Sequence, residues 1–295
     1  MQNNEQERHS WIKLILLFSY IFLLGLVTVI GGSDDIEMNM DNPNTIVLLK
    51  VLQAVSVLMV FILPALVFAL FWTKTKIHYL GVTKRSAFAT LLIAGIGMIL
   101  AMPLINWLSE VNQHMNLPQM FSGIELWMQQ SEEKAKVLTE TFTKGTSVGV
   151  LLLNLFVIAF MAAISEELFF RGVLQKVAIE ATRNKHIGVW ISAIIFSAFH
   201  MQFYGFFPRM LMGAYLGYLF LWSGSLWPGI VAHFINNGTA VFLIWLTNRG
   251  EVTEGADKVG MHEGEWLYTL VSAVMVGMSL FLVYRIEKKR MQLQP

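Results

Sequence analysis

The stretch VGVLLLNLFVIAFMAAISEELFFRG, residues 148–172, decides the fold. Its first part is an apolar run long enough for a membrane-crossing helix, which needs roughly 20 residues at about 1.5 Å of rise each. Its end carries two adjacent carboxylates, Glu166 and Glu167, and an arginine, Arg171. At the centre of a membrane helix each such charge costs about 2.5–3.5 kcal/mol on insertion scales, so charges usually stay there for a reason. The rest of the chain has to supply that reason.

The chain of 295 residues is 55% hydrophobic and 14% charged, with a mean hydropathy of +0.57, far more apolar surface than one soluble core can hide. That composition predicts an all-α, polytopic membrane protein embedded in a lipid bilayer. A net charge of +1 argues against a nucleic-acid partner, since phosphate binding needs a clustered basic excess. The absence of cysteine excludes disulfides, thiolate zinc sites and a cysteine nucleophile.

Apolar windows predict eight spans, at about residues 11–31, 46–72, 88–108, 148–176, 187–206, 208–222, 226–247 and 266–286. The first is longer than a secretory signal core and reads as a retained span. Eight of the nine tryptophans fall at predicted span ends, the interfacial position an amphipathic ring prefers; Trp127 alone sits in a loop. Lysine and arginine divide thirteen against six between the two sides, the larger share lying at the start, in 73–87, in 172–186 and in the tail, so both termini are expected in the cytoplasm. The loop 32–45 is acidic, as an outside loop would be, and 109–146 is the largest outside element, with SEEKAKVLTE suggesting a short surface helix. Three parts follow: helices 1–3 with the outer loop (1–147), a core of helices 4–7 (148–247), and a final loop, helix and basic tail (248–295).

Of seven histidines, only His200 and His233 fall well inside predicted helices, in FSAFH (196–200) and HFINN (233–237). A spacing of four places Phe196 beside His200, His233 beside Asn237 and Glu167 beside Arg171, each pair on one helix face. Glu166, rotated by about 100°, is free to face another helix. Matching its depth to the histidines requires the fourth helix to run on to about Lys176. One carboxylate, two imidazoles and an amide then gather in the inner half of the bilayer, which is hydrolytic equipment. A water between Glu166 and His200 could attack a carbonyl while His233 and Asn237 donate to the developing oxyanion. In a second version Glu166, His200 and His233 bind a divalent metal, zinc being suited, that activates the water.

EELFFR, FSAFH and HFINN resemble, in order, the E-E-x-x-x-R, F-x-x-x-H and H-x-x-x-N motifs of the CPBP (Abi) intramembrane endopeptidases, the family that includes the type II CAAX prenyl proteases. The resemblance covers about residues 148–240. It implies that Glu166 and His200 activate the water, that His233 and Asn237 form the oxyanion site, and that Glu167 and Arg171 support them. It also implies a membrane-associated peptide or protein substrate, lipidated or a peptide precursor. Bacterial relatives are linked to peptide maturation and to self-immunity against bacteriocins, and nothing in the chain indicates an organelle, so a bacterial cytoplasmic membrane is the expected location. The first three helices and the loop 109–146 match no named pattern.

Each part also has a plainer reading. The EELFFR charges could be a solvated helix end with one ion pair, and His200, His233 and Asn237 could be interhelical glue. Taken together these give a rival function, a non-enzymatic membrane immunity or scaffold protein. Lys50 lies one turn inside a span end, where it can snorkel. GAYLG at 213–217 presents two glycines on one face, for close packing or for a substrate strand.

Overall fold

A computed structural model of the chain describes residue 13 and residues 42–293, apart from 116, 254, 256–258 and 261–264. The expected first span and most of the acidic loop after it lie outside the described residues. All regular structure among the described residues is helical. We number its helices α1 (Asn44–Trp72), α2 (Phe88–Leu100), α3 (Met102–Gln113), α4 (Ser122–Thr143), α5 (Val148–Thr182), α6 (Lys185–Phe199), α7 (Phe206–Ser223), α8 (Trp227–Asn248) and α9 (Trp266–Gln292).

Four of these, α1, α5, α8 and α9, are long and apolar enough to cross a membrane, and α2 with α3 would make a fifth if their 44° bend lies within one span. The remaining two expected spans are shorter or more polar. At 15 residues α6 reaches only about 22 Å, against a hydrocarbon thickness of about 30 Å. The 18-residue α7 carries Pro208 and Arg209 in its first turn. The surface helix anticipated in SEEKAKVLTE is longer than expected, 22 residues.

The long apolar run of the opening motif continues without a stop into the charges. α5 is one helix of 35 residues, past the Lys176 that the depth of Glu166 required. It ends where Arg183 takes a left-handed conformation (φ 53°), and Asn184 accepts from the backbone N–H groups of His186 and Ile187 to start α6. Two π-helical turns, Leu155–Met161 and Phe170–Leu174, flank Glu166 and Glu167. Such wide turns take carbonyls out of the regular ladder. Their partners come from other helices: Asn237 Nδ2 donates to Ile158 O (3.3 Å) and the buried Ser192 Oγ to Phe170 O (3.1 Å).

The glycine face of α7 turns out to serve packing. Arg171 Nη2 and Gln175 Nε2, four residues apart on α5, donate to Gly213 O and Gly217 O, four residues apart on α7, each at 3.0 Å. A methyl on Gly213 would lie 3.2 Å from Ala193 Cα, and one on Gly217 would lie 2.8 Å from Gln175 Oε1, so the face is filled. Beneath it Phe61, Phe169, Phe170, Phe196 and Phe199 interlock ring against ring.

A further device holds the start of α2. Glu287 of α9, fully buried, accepts from Ala87 N (3.0 Å) and Thr90 Oγ1 (2.6 Å), capping the start of α2 from 200 residues away. Lys50 differs from expectation. It is 5% exposed, so its stem is enclosed between helices instead of lying along an open surface.

Candidate active site

The site is assembled on three helices. α5 supplies Glu166, Glu167 and Arg171; α6 supplies Phe196 and, at its C-terminal end, His200; α8 supplies His233 and Asn237. Both pairings that the spacing predicted within EELFFR and FSAFH, Glu167 with Arg171 and Phe196 with His200, are present.

Glu167 is the structural centre. Its side chain is fully buried, and Oε1 accepts from Arg171 Nη1 at 2.6 Å and from His233 Nδ1 at 3.1 Å. Arg171 is 1% exposed and has its other face used: Nη2 reaches Gly213 O, and the guanidinium sits 4.6 Å from the Phe196 ring centroid. One side-chain network thereby joins α5, α6, α7 and α8. Removing one member of such a buried pair typically costs about 3–5 kcal/mol, because the partner charge is left uncompensated.

The hydrogen bonds also assign the ring protons. A carbonyl oxygen only accepts, so the contact between His200 Nδ1 and Phe196 O (2.8 Å) places a proton on Nδ1 and leaves the lone pair of the neutral ring on Nε2. His233 Nδ1 is likewise directed at Glu167, which leaves its Nε2 to face Glu166 Oε2 at 3.8 Å. That separation is within ion-pair reach but too long for a hydrogen bond. Glu166 Oε2 accordingly has no hydrogen-bond partner, and its side chain is 13% exposed, unlike its enclosed neighbour Glu167. Glu166 and His233 both lie within electrostatic reach of His200, and the Phe196 ring packs edge-on against both imidazoles, at centroid distances of 5.0 and 5.9 Å.

Of the sequence-predicted residues, Glu166, Glu167, Arg171, Phe196, His200 and His233 come together. Asn237 stands one turn beyond His233, its amide donating to Ile158 O and its Oδ1 accepting from Asn236 at 3.1 Å. Its hydrogen bonds therefore run to Asn236 and α5 and not to Glu166, His200 or His233. The metal version requires Glu166, His200 and His233 to converge on one point. Among the described residues no three His, Cys, Asp or Glu side chains form a group that could hold a metal ion, so this donor set does not fit zinc as arranged.

Sequence reasoning passed over Gly229, Gln175 and Ser192. Gly229 lies one turn before His233 on α8, and a methyl there would stand 2.7 Å from Glu167 Oε2. A backbone without a side chain is what lets α8 come that close to a buried carboxylate. The only hint in the sequence was the spacing of four between Gly229 and His233.

Residues 148–239 match the model of a family described as Rce1-like, type II CAAX prenyl endopeptidase. The chain is also 32% identical over 98 residues to the uncharacterized protein YpbD of Bacillus subtilis (strain 168), a match covering 32% of this chain and 44% of that protein. This chain therefore spans less than half of that relative's length. No solved structure matches the chain.

Proposed function

From the match of residues 148–239 to the Rce1-like family, we propose that this protein is an intramembrane endopeptidase that hydrolyses a peptide bond of a membrane-associated peptide or protein. The observation that carries the reading is the division of labour between adjacent carboxylates. Glu167 Oε1 is held by both Arg171 and His233, whereas Glu166, with a side chain 13% exposed, accepts no hydrogen bond at Oε2, which stands 3.8 Å from His233 Nε2. A purely structural cluster has no use for the second carboxylate.

Each step is assigned to the chain's own groups. A water held between Glu166 Oε2 and His200 Nε2 transfers a proton to the carboxylate as its oxygen attacks the carbonyl carbon. The carbonyl oxygen becomes an oxyanion, and His233 donates to it from Nε2 when its ring is protonated, Glu167 stabilising the imidazolium through Nδ1. Collapse breaks the C–N bond, and Glu166 returns the proton to the leaving amine. Asn237 joins the oxyanion site by exchanging its bond to Ile158 for one to the substrate. Arg171 and Phe196 position these groups without touching the reacting atoms.

In the membrane we place eight spans with both termini cytoplasmic, α6 and α7 being the short spans, and the site in the inner half. The excess of lysine and arginine on that side supports the placement.

The test is cleavage of a panel of lipidated and plain peptides by detergent-purified protein. Glu166→Ala and the nearly isosteric Glu166→Gln should each abolish cleavage while expression and melting stay near wild type, and cleavage should survive a chelator. Retained cleavage in Glu166→Gln overturns the assignment and leaves the scaffold reading. Loss with chelator, restored by zinc, overturns the metal-free chemistry alone.

A further inference from the structure

The bend between α2 and α3 is built by side chains. Pro103 lies in the first turn of α3, where its missing N–H cannot continue the ladder. Ser272 of α9, 3% exposed, takes both loose ends, donating to Leu100 O (2.5 Å) and accepting from Leu104 N (3.3 Å). Before the bend α2 lies tight on α8, since a methyl on Gly95 would stand 2.6 Å from Ile235 Cδ1. Beyond it α3 swings away by 44°, and a cavity of about 410 Å³ opens between α3 and α8.

Met98, Met102, Ile105 and Leu243 line it, and no charged side chain does. The polar side chains on its wall are Asn106, Asn236, Thr239 and Thr247. Three of them already donate elsewhere: Asn106 to Val259 O, Asn236 to Asn237 Oδ1, and Thr247 to Leu243 O. Water there would find too few partners to be stable, and a void of this size would leave its walls without contacts. The fitting occupant is hydrocarbon. From Ile235 to Thr247 the wall of α8 runs about 18 Å, close to the depth of one leaflet, about half of a 30 Å core. Thr247 stands at the C-terminal, interfacial end of α8, and Asn236 lies midway along that helix.

We propose that this cavity binds one acyl chain of a bilayer phospholipid, taken from the leaflet at the Asn248 end of α8, with the end of the chain packed against Asn236. The bound chain fills the wedge that the Pro103–Ser272 bend creates. It also backs the Asn236–Asn237 pair through which α8 grips α5 at Ile158. The inference stands apart from proteolysis, and its readout is binding.

The probe is phosphatidylcholine carrying a diazirine at the end of one acyl chain, irradiated with the full protein in phosphatidylcholine nanodiscs and mapped by peptide mass spectrometry. Adducts should concentrate on Ile235, Asn236 and Met98. Ala240→Trp and, independently, Leu243→Phe, which fill the cavity from α8, should each lower that labelling about ten-fold, equivalent to about 1.4 kcal/mol of binding. Leu152→Trp, on an exposed face of α5, should leave it unchanged. Labelling spread evenly over bilayer-facing residues, or unaltered in both filling variants, overturns the proposal. So does displacement of the label by a lipidated peptide at concentrations where added unlabelled phosphatidylcholine has no effect, which would make the cavity a substrate site.

Discussion

Gly229→Ala tests the centre of the network without touching any group that reacts. The added methyl would stand 2.7 Å from Glu167 Oε2 and 3.5 Å from its Cδ. A relaxed carbon–oxygen contact is about 3.3–3.6 Å, so the carboxylate must withdraw by roughly 0.6–0.9 Å. It has little freedom to do so, because Oε1 is held at 2.6 Å by Arg171 and at 3.1 Å by His233. Overpacking of this kind costs about 1–3 kcal/mol, and weakening a hydrogen bond to a charged group adds about 1.5–3 kcal/mol. The expected loss is therefore about 2.5–6 kcal/mol, read as a lower melting temperature in detergent by tryptophan fluorescence. Cleavage should fall as well, through kcat more than KM, as His233 loses its orientation. Gly277→Ala is the internal control, since a methyl there meets nothing within 4 Å; the same change in helix propensity should stabilise α9 by about 0.5–1 kcal/mol. A Gly229→Ala protein that melts within about 0.5 kcal/mol of wild type would refute the claim that this close approach sets the carboxylate.

Arg171→Lys should cost about 2–4 kcal/mol, because an ammonium cannot serve Glu167 and Gly213 O together while lying over Phe196; a melt near wild type would show the fork to be unnecessary. Ser272→Ala strips the bend of its bridge and should destabilise by about 1–3 kcal/mol in the same melt, with raised hydrogen exchange at Leu104 as its local signature. Glu287→Ala should uncap α2 for about 1–3 kcal/mol, and proteolysis near Ala87 should accelerate; unchanged proteolysis would mean that the contact carries no load.

How far the sequence could be read differs between helices and contacts. Periodicity of four named the Glu167–Arg171 and Phe196–His200 pairs, because residues on one helix have positions fixed by the rise and turn of that helix alone. It also showed that Glu166 had to look away from Arg171. It could not say that His233 would divide its two nitrogens between Glu167 and Glu166, since that depends on how α8 rotates against α5. The shortness of α6 escaped hydropathy for a related reason. Apolar residues continue beyond Phe199, but the chain leaves the helix at Met201, which takes φ 54°. A reversal through half-buried, mostly apolar residues costs no hydropathy and leaves no mark in a window average.

Composition and the spacing of charges within apolar runs determined on their own that this is an all-helical membrane protein and which polar residues had to be explained, because the cost of an isolated charge in hydrocarbon is a property of the residue and its neighbours in the chain. Tertiary structure decided everything that depends on the distance between helices. It decided that Arg171 and His233 meet on Glu167 Oε1 while Glu166 Oε2 accepts no hydrogen bond, that Asn237 rests on a π-turn carbonyl, that two glycines of α7 receive Arg171 and Gln175, and that Glu287 caps a helix 200 residues away. Those outcomes rest on close approach at Gly213, Gly217 and Gly229, where the informative feature is a side chain that is missing, and a missing side chain acquires meaning only from the neighbour that occupies its place.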